Sequence, residues 1–180
     1  QWDMLRGAFF ALFAIYALIA IPLRSYSQPL IIMSVIPFGI IGAIFGHFIM
    51  DLSLSIMSMF GMVALIGVVV NDSLVMVDYV NKAREQGIRV KDAAINGGCA
   101  RFRAIILTSL TTFFGLVPIL SETSMQAQIL IPMAASIAFG ILFATVITLY
   151  LIPVLYVIGT DIKGLKRGLF DLYRTKQQEA

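Results

Sequence analysis

Asn71 and Asp72 interrupt a run of residues that is otherwise apolar, from Leu54 to Val70 before them and from Met76 to Val80 after them. At about 1.5 Å of rise per residue, a helix through this run carries the pair roughly halfway to two-thirds of the way across a hydrocarbon layer about 30 Å thick. An ionised carboxylate at that depth costs about 2.5–3.5 kcal/mol on insertion scales, so Asp72 must face the interior of a bundle or a wet cavity and have partners there. The chemistry open to it is the uptake and release of a proton. Positions seven apart share a helix face, which puts Asn71 with Asp78 on one strip and Asp72 with Tyr79 on the next, and Asn81 extends this polar seam. A second seam follows from Arg101 and Thr108, also seven apart, continued by Thr111 and Thr112. Burial and nearby donors act on a carboxylate in opposite senses, so Asp72 is the candidate proton carrier, with Asn71, Thr108, Arg101 and Asp78 as its candidate relay partners. A change in its charge would alter helix packing, the two-state coupling a transporter needs. The competing reading is that Asn71, Asp72 and Thr108 are inter-helical hydrogen-bond glue worth about 0.6 kcal/mol per pair.

The composition supplies the membrane without any motif. Of 180 residues, 59% are hydrophobic and 13% charged, against about 45–50% and about 25% in soluble domains, and the mean hydropathy is +0.93. One cysteine, Cys99, leaves no internal disulfide and no cysteine-rich metal site. The net charge of +3 has no soluble basic face to sit on, which excludes a nucleic-acid partner. No metal and no cofactor are expected. The partner that composition demands is the lipid bilayer.

The expected fold is an all-α membrane protein, a bundle of five transmembrane helices over residues 1–158. Its spans are about 7–21, 30–50, 54–81, 104–120 and 128–158. Trp2, Asp3 and Arg6 stand ahead of the first span as an interfacial anchor does. No initiator methionine or cleavable signal precedes it, so the chain reads as part of something longer. Pro22 and Pro29 bound a polar turn, and Pro37 with Gly39, Gly42, Ala43 and Gly46 gives the second span a bend and a face for close packing. Residues 82–103 form a basic loop, with a short surface helix from Val90 to Ile95 ended by Asn96-Gly97-Gly98. Residues 159–180 form a polar, basic tail.

Apart from Arg6, the lysines and arginines all fall in the turn after the first span, in the loop after the third, or in the tail. The connections around Asp51 and Glu122 hold none. By the positive-inside rule the three basic segments are cytoplasmic, which puts the amino terminus outside and the carboxyl terminus inside.

Other residues offer less. His47 beside Asp51 reads as an interfacial histidine hydrated by water in preference to a proton relay. Met57, Met59, Met62 and Met76 read as packing in preference to a soft-metal path. Hydrolysis would need a nucleophile, a base and an oxyanion site, and no serine or acid stands around His47 at a recognisable spacing.

The motifs as a set resemble a known family. Ala20-Ile21-Pro22-Leu23-Arg24-Ser25-Tyr26, Ile36-Pro37-Phe38-Gly39, Gly67-Val68-Val69-Val70-Asn71-Asp72-Ser73, Arg101-Phe102-Arg103-Ala104-Ile105-Ile106-Leu107-Thr108-Ser109 and Pro153-Val154-Leu155-Tyr156 are similar to the carboxy-terminal transmembrane half of resistance-nodulation-division (RND) efflux transporters of the acriflavine-resistance type. These are proton-driven pumps of the Gram-negative inner membrane. The resemblance covers residues 5–158. It implies that the five spans are helices eight to twelve of a pseudo-symmetric twelve-helix domain, completed by an amino-terminal half and by periplasmic domains. The working assembly it implies is a trimer with a periplasmic adaptor and an outer-membrane channel. The family's relay joins two aspartates on helix four to a lysine on helix ten and to an arginine and a threonine on helix eleven. By position, Asn71 stands in the place of that lysine, and Arg101 and Thr108 match the arginine and threonine. The alternative within the same fold is a non-pumping membrane assembly or sensing module.

Overall fold

The computed structural model describes residues 2–178, with side-chain surroundings for Arg6, Gly7 and residues 9–162. The elements are all helices: α1 (Trp2–Leu23), α2 (Gln28–Met33), α3 (Ile36–Ile49), α4 (Ile56–Glu85), α5 (Val90–Leu120) and α6 (Met125–Gln178). Among the described residues, four stretches are long and apolar enough to cross a membrane: Gln28–Ile49, Ile56–Glu85, Val90–Leu120 and Met125–Ile162. The apolar part of α1, Phe9–Leu23, is shorter. With α2 and α3 forming one pass, these four stretches and the shorter α1 make an all-helical membrane bundle among the described residues.

The break between α2 and α3 has a local cause. Pro37 has no N–H to offer the carbonyl of Met33, four residues back, and its ring would crowd that carbonyl. The α2 ladder accordingly ends at Met33, Ser34 N–H closes onto Leu30 O at 3.0 Å, and α3 restarts with Pro37 in its first turn, where a missing donor is harmless. The chain turns through left-handed backbone at Arg24 (φ 46°), Asp51 (φ 52°) and Gly87 (φ 83°). At Gly87 a side chain would be strained.

The last span, α6, is the hub: α3, α4 and α5 all pack on it, whereas α1 packs chiefly on α2. Gly42 and Gly46 of α3 lie against Phe143 and Phe139, and Gly61 of α4 lies so close to α6 that an added Cβ would stand 2.5 Å from Met133 O. These small residues let backbones approach where apolar burial alone gives no drive, because lipid is as apolar as the helix faces. The core between the helices is built of Ile32, Val35, Leu65, Met76, Val77, Ile141, Ile152 and Tyr156, each at most 1% exposed.

One sequence expectation is corrected. Asn96-Gly97-Gly98 does not end a surface helix; Val90–Leu120 is one continuous helix. Gly97 is buried against α4, where an added Cβ would lie 2.7 Å from Val80 Cγ2, so the glycine serves helix contact rather than termination. The polar segment after Gly159 continues α6 as helix to Gln178; its side chains beyond Ile162, including the basic residues of the expected tail, lie outside the described residues. So do the side chains of Trp2 and Asp3.

Candidate functional site

The helix that carries Asn71 and Asp72 starts at a well-made cap. Ser55 accepts from Ser58 N–H at 3.2 Å while Ser58 Oγ accepts from Ser55 N–H at 3.1 Å, which satisfies two of the donors that a helix start leaves open. Leu65, Val69, Ser73, Met76, Val77 and Val80 recur three and four apart and form the buried stripe of α4. That stripe fixes the rotation of the helix. It leaves Asn71 exposed and Asp72 half-buried.

On α5 the second seam is also open. Thr108 and Thr111 are exposed, and their hydroxyls donate back along their own helix, Thr108 to Ala104 O at 2.9 Å and Thr111 to Leu107 O at 2.8 Å. Thr112 does the same to Thr108 O. Only 11% of the apolar window of α5 is buried, against 39% for α4. The helix is tied to α6 by Ser109, whose hydroxyl meets that of Thr145 in a buried contact.

Arg101 is the link between the seams. Its guanidinium lies over the ring of Tyr79 at 5.9 Å, and its Nε is buried without a hydrogen-bond partner among the described residues. The hairpin of α4 and α5 runs antiparallel, so seven residues back from Tyr79 and seven forward from Arg101 travel the same way along the bundle. Asp72 and Thr108 therefore stand at the same depth, about 10 Å from the stacked pair. Among the described residues no hydrogen bond or ion pair joins Asp72 to Asn71, Thr108 or Arg101. Asp78 is engaged elsewhere, accepting from Lys82 Nζ at 2.7 Å in an exposed pair.

The expected seam of Asn71, Asp72, Asp78 and Asn81 is thus divided. Asn81 turns inward: its Oδ1 accepts from Gln28 Nε2 at 2.8 Å and from Tyr156 OH at 2.6 Å, and its Nδ2 donates to Gln28 Oε1 at 2.9 Å. Arg84 Nη1 reaches the Tyr156 hydroxyl at 3.5 Å. Sequence reasoning missed this cluster. The partners come from three helices, and the one signal was the amide of Gln28 opening an apolar span.

His47 is likewise not the hydrated interfacial group expected from its position. It is 3% exposed, donates from Nδ1 to Ala43 O at 2.9 Å, and accepts at Nε2 from Ser58 Oγ at 2.7 Å. Ser136 of α6 donates to Ser58 O at 3.0 Å, so three helices meet at the cap of α4. Among the described residues no three His, Cys, Asp or Glu side chains converge as a metal site would require.

Residues 5–159 match the AcrB/AcrD/AcrF family. The chain belongs to that family, the RND efflux transporters that its motifs resemble. It is 31% identical over 167 residues to the multidrug resistance protein MdtC of Pantoea ananatis, covering 92% of this chain and 16% of that protein. It is 31% identical over 147 residues to MdtC of Proteus mirabilis, covering 81% of this chain and 14% of that protein. The chain therefore spans about a sixth of the length of these relatives. Its fold matches that of a solved heavy metal efflux pump with a TM-score of 0.75 at 25% identity, over 83% of this chain and 15% of that one. A second crystal form of such a pump gives a TM-score of 0.70.

Proposed function

We propose that this chain is the carboxy-terminal transmembrane half, helices eight to twelve, of a proton-driven exporter of drugs or other small molecules in the Gram-negative inner membrane. The observation that carries this reading is the open face of α4 and α5. At mid-bundle Asn71, Thr108 and Thr111 are exposed and Asp72 is only half-buried among the described helices, and an ionised carboxylate facing lipid there would be untenable. Such a face calls for further helices of the same transporter.

In this reading Asp72 takes up and releases the proton, and Asn71 and Thr108 are its hydrogen-bond partners when the face is covered. Arg101, held on Tyr79, sets the local charge from the cation-rich end. Asp78, paired with Lys82 where α4 reaches solvent, is where the relay meets bulk water. That end is cytoplasmic, with the amino terminus periplasmic. The complete transporter works as a trimer with a periplasmic adaptor and an outer-membrane channel.

The test is efflux by the full-length protein in proteoliposomes under an imposed pH gradient. Asp72→Asn abolishes gradient-driven export at unchanged expression. Undiminished export would return Asp72 to hydrogen-bond glue, and export indifferent to the gradient would favour a non-pumping module.

A further inference from the structure

At the cation-rich end of the bundle, an open cavity of about 580 Å3 lies between the α1–α2 turn, the end of α4 and α6. Its floor is the cluster of Gln28, Asn81 and Tyr156, whose mutual hydrogen bonds leave little for a ligand to satisfy. Its walls carry Arg24, Lys82 and Arg84 against Asp78 and Glu85. Lys82 and Asp78 neutralise each other. Arg24 and Arg84 have no carboxylate partner among the described residues, and the contact of Arg84 with Tyr156 OH, at 3.5 Å, is a long one. Two guanidinium groups and one glutamate are left, a wall of net positive charge.

Arg24 is held in left-handed backbone, φ 46°, which a residue with a Cβ adopts at a cost and which marks a position worth a functional reading. From that position Arg24 and Ser25 stand in the walls of two cavities at once. The second is an apolar groove of about 490 Å3 along α1, formed by Phe13, Tyr16, Ala17 and Ile21. A cationic cavity sharing a wall with an apolar groove, both at the edge of a membrane span, fits an amphiphile with an anionic head. Guanidinium forks match phosphate oxygens in pairs, and aromatic and cationic side chains gather at the headgroup level.

We propose that the cavity at Arg24 and Arg84 is a binding site for an anionic phospholipid, with the phosphate head between the two arginines and an acyl chain in the α1 groove. The lipid would fill space between the α1–α2 turn and α4, and so fasten the end of the helix that bears Asp72. The site stands on the cavity, the charges and the groove, and does not depend on proton coupling.

The test uses the full-length protein, stripped of lipid in mild detergent and titrated with phosphatidylglycerol, with phosphatidylcholine of the same acyl chains, and with inorganic phosphate. Bound lipid is counted by native mass spectrometry. The wild type holds one phosphatidylglycerol about tenfold or more tightly than phosphatidylcholine. The double variant Arg24→Gln/Arg84→Gln loses that one lipid, Ala17→Phe weakens it by filling the groove, and Lys91→Gln, an exposed charge on α5, leaves it in place. Equal retention of both lipids by the wild type overturns the proposal whether or not the variants fold. So does an unchanged preference in the double variant. Displacement by inorganic phosphate at equal concentration, with Ala17→Phe silent, would make this a free-anion site and exclude the lipid.

Discussion

Tyr156 donates its hydroxyl hydrogen bond to Asn81 Oδ1 at 2.6 Å, across 75 positions of sequence, and so fastens the end of α4 to the hub helix. Asn81 holds Gln28 through both ends of its amide as well. One residue of α4 thereby fixes α2 and α6 at the same end of the bundle, below the helix segment that carries Asp72.

Tyr156→Phe removes one donor and leaves Asn81 Oδ1 with its bond from Gln28. The expected loss is about 0.5–1.5 kcal/mol. Asn81→Leu leaves the Gln28 amide and the Tyr156 hydroxyl without their partner and costs more, about 1–3 kcal/mol. Thermal unfolding of both variants in detergent gives the order; a larger loss for Tyr156→Phe would make the tyrosine hydroxyl, and not the Asn81 amide, the pivot of the cluster.

Ser58 serves the cap of α4 and His47 together. Ser58→Ala breaks both functions and leaves the His47 Nε2 acceptor buried without its donor, for an expected cost of about 1–3 kcal/mol. Ser53→Ala, in the exposed connection before the cap, is within about 0.5 kcal/mol of wild type. Equal melting temperatures for the two variants would rule out the buried network as a source of stability.

Gly61 faces Met133 O and Ser136 Cβ, at 2.5 and 2.8 Å from the Cβ that an alanine would add. Backbone on the far side cannot step away as a side chain end can. Gly61→Ala forces α4 off α6 at an expected cost of about 1–3 kcal/mol, read as a lower midpoint in thermal or denaturant unfolding.

Thr108 is exposed and satisfied within its own helix, so Thr108→Val leaves the melting temperature of the full-length protein within about 1 °C or 2 °C of wild type. In the proposed relay the same change slows gradient-driven export. Asp78→Asn, which breaks only an exposed pair worth about 0.3–0.5 kcal/mol, slows export less than Asp72→Asn does. Reversal of that order would move the proton-carrying role from Asp72 to Asp78.

Asp72 on an apolar helix, the all-helical membrane fold and the membership of the family follow from local chemistry, because a span is recognised by composition and length and a motif by contiguous residues. The ladder break ahead of Pro37 is of the same kind, since a proline acts on the carbonyl four residues back. Tertiary structure decided the rest. Gly97-Gly98 has the form of a helix stop, but a glycine stops a helix only if the backbone turns there, and contact with Val80 holds it straight. His47 reads as interfacial from its distance to Asp51, and only the meeting of α3, α4 and α6 shows that it is buried on Ser58. Asn81 shares a helix with Asp72, but the rotation that buries Leu65 and Val77 sends Asn81 inward to Gln28 and Tyr156 and leaves Asn71 outside. Local sequence puts Asn81 and Asp72 on one helix; the packing of other helices against that helix determines which of its faces is buried, and so which polar groups find partners.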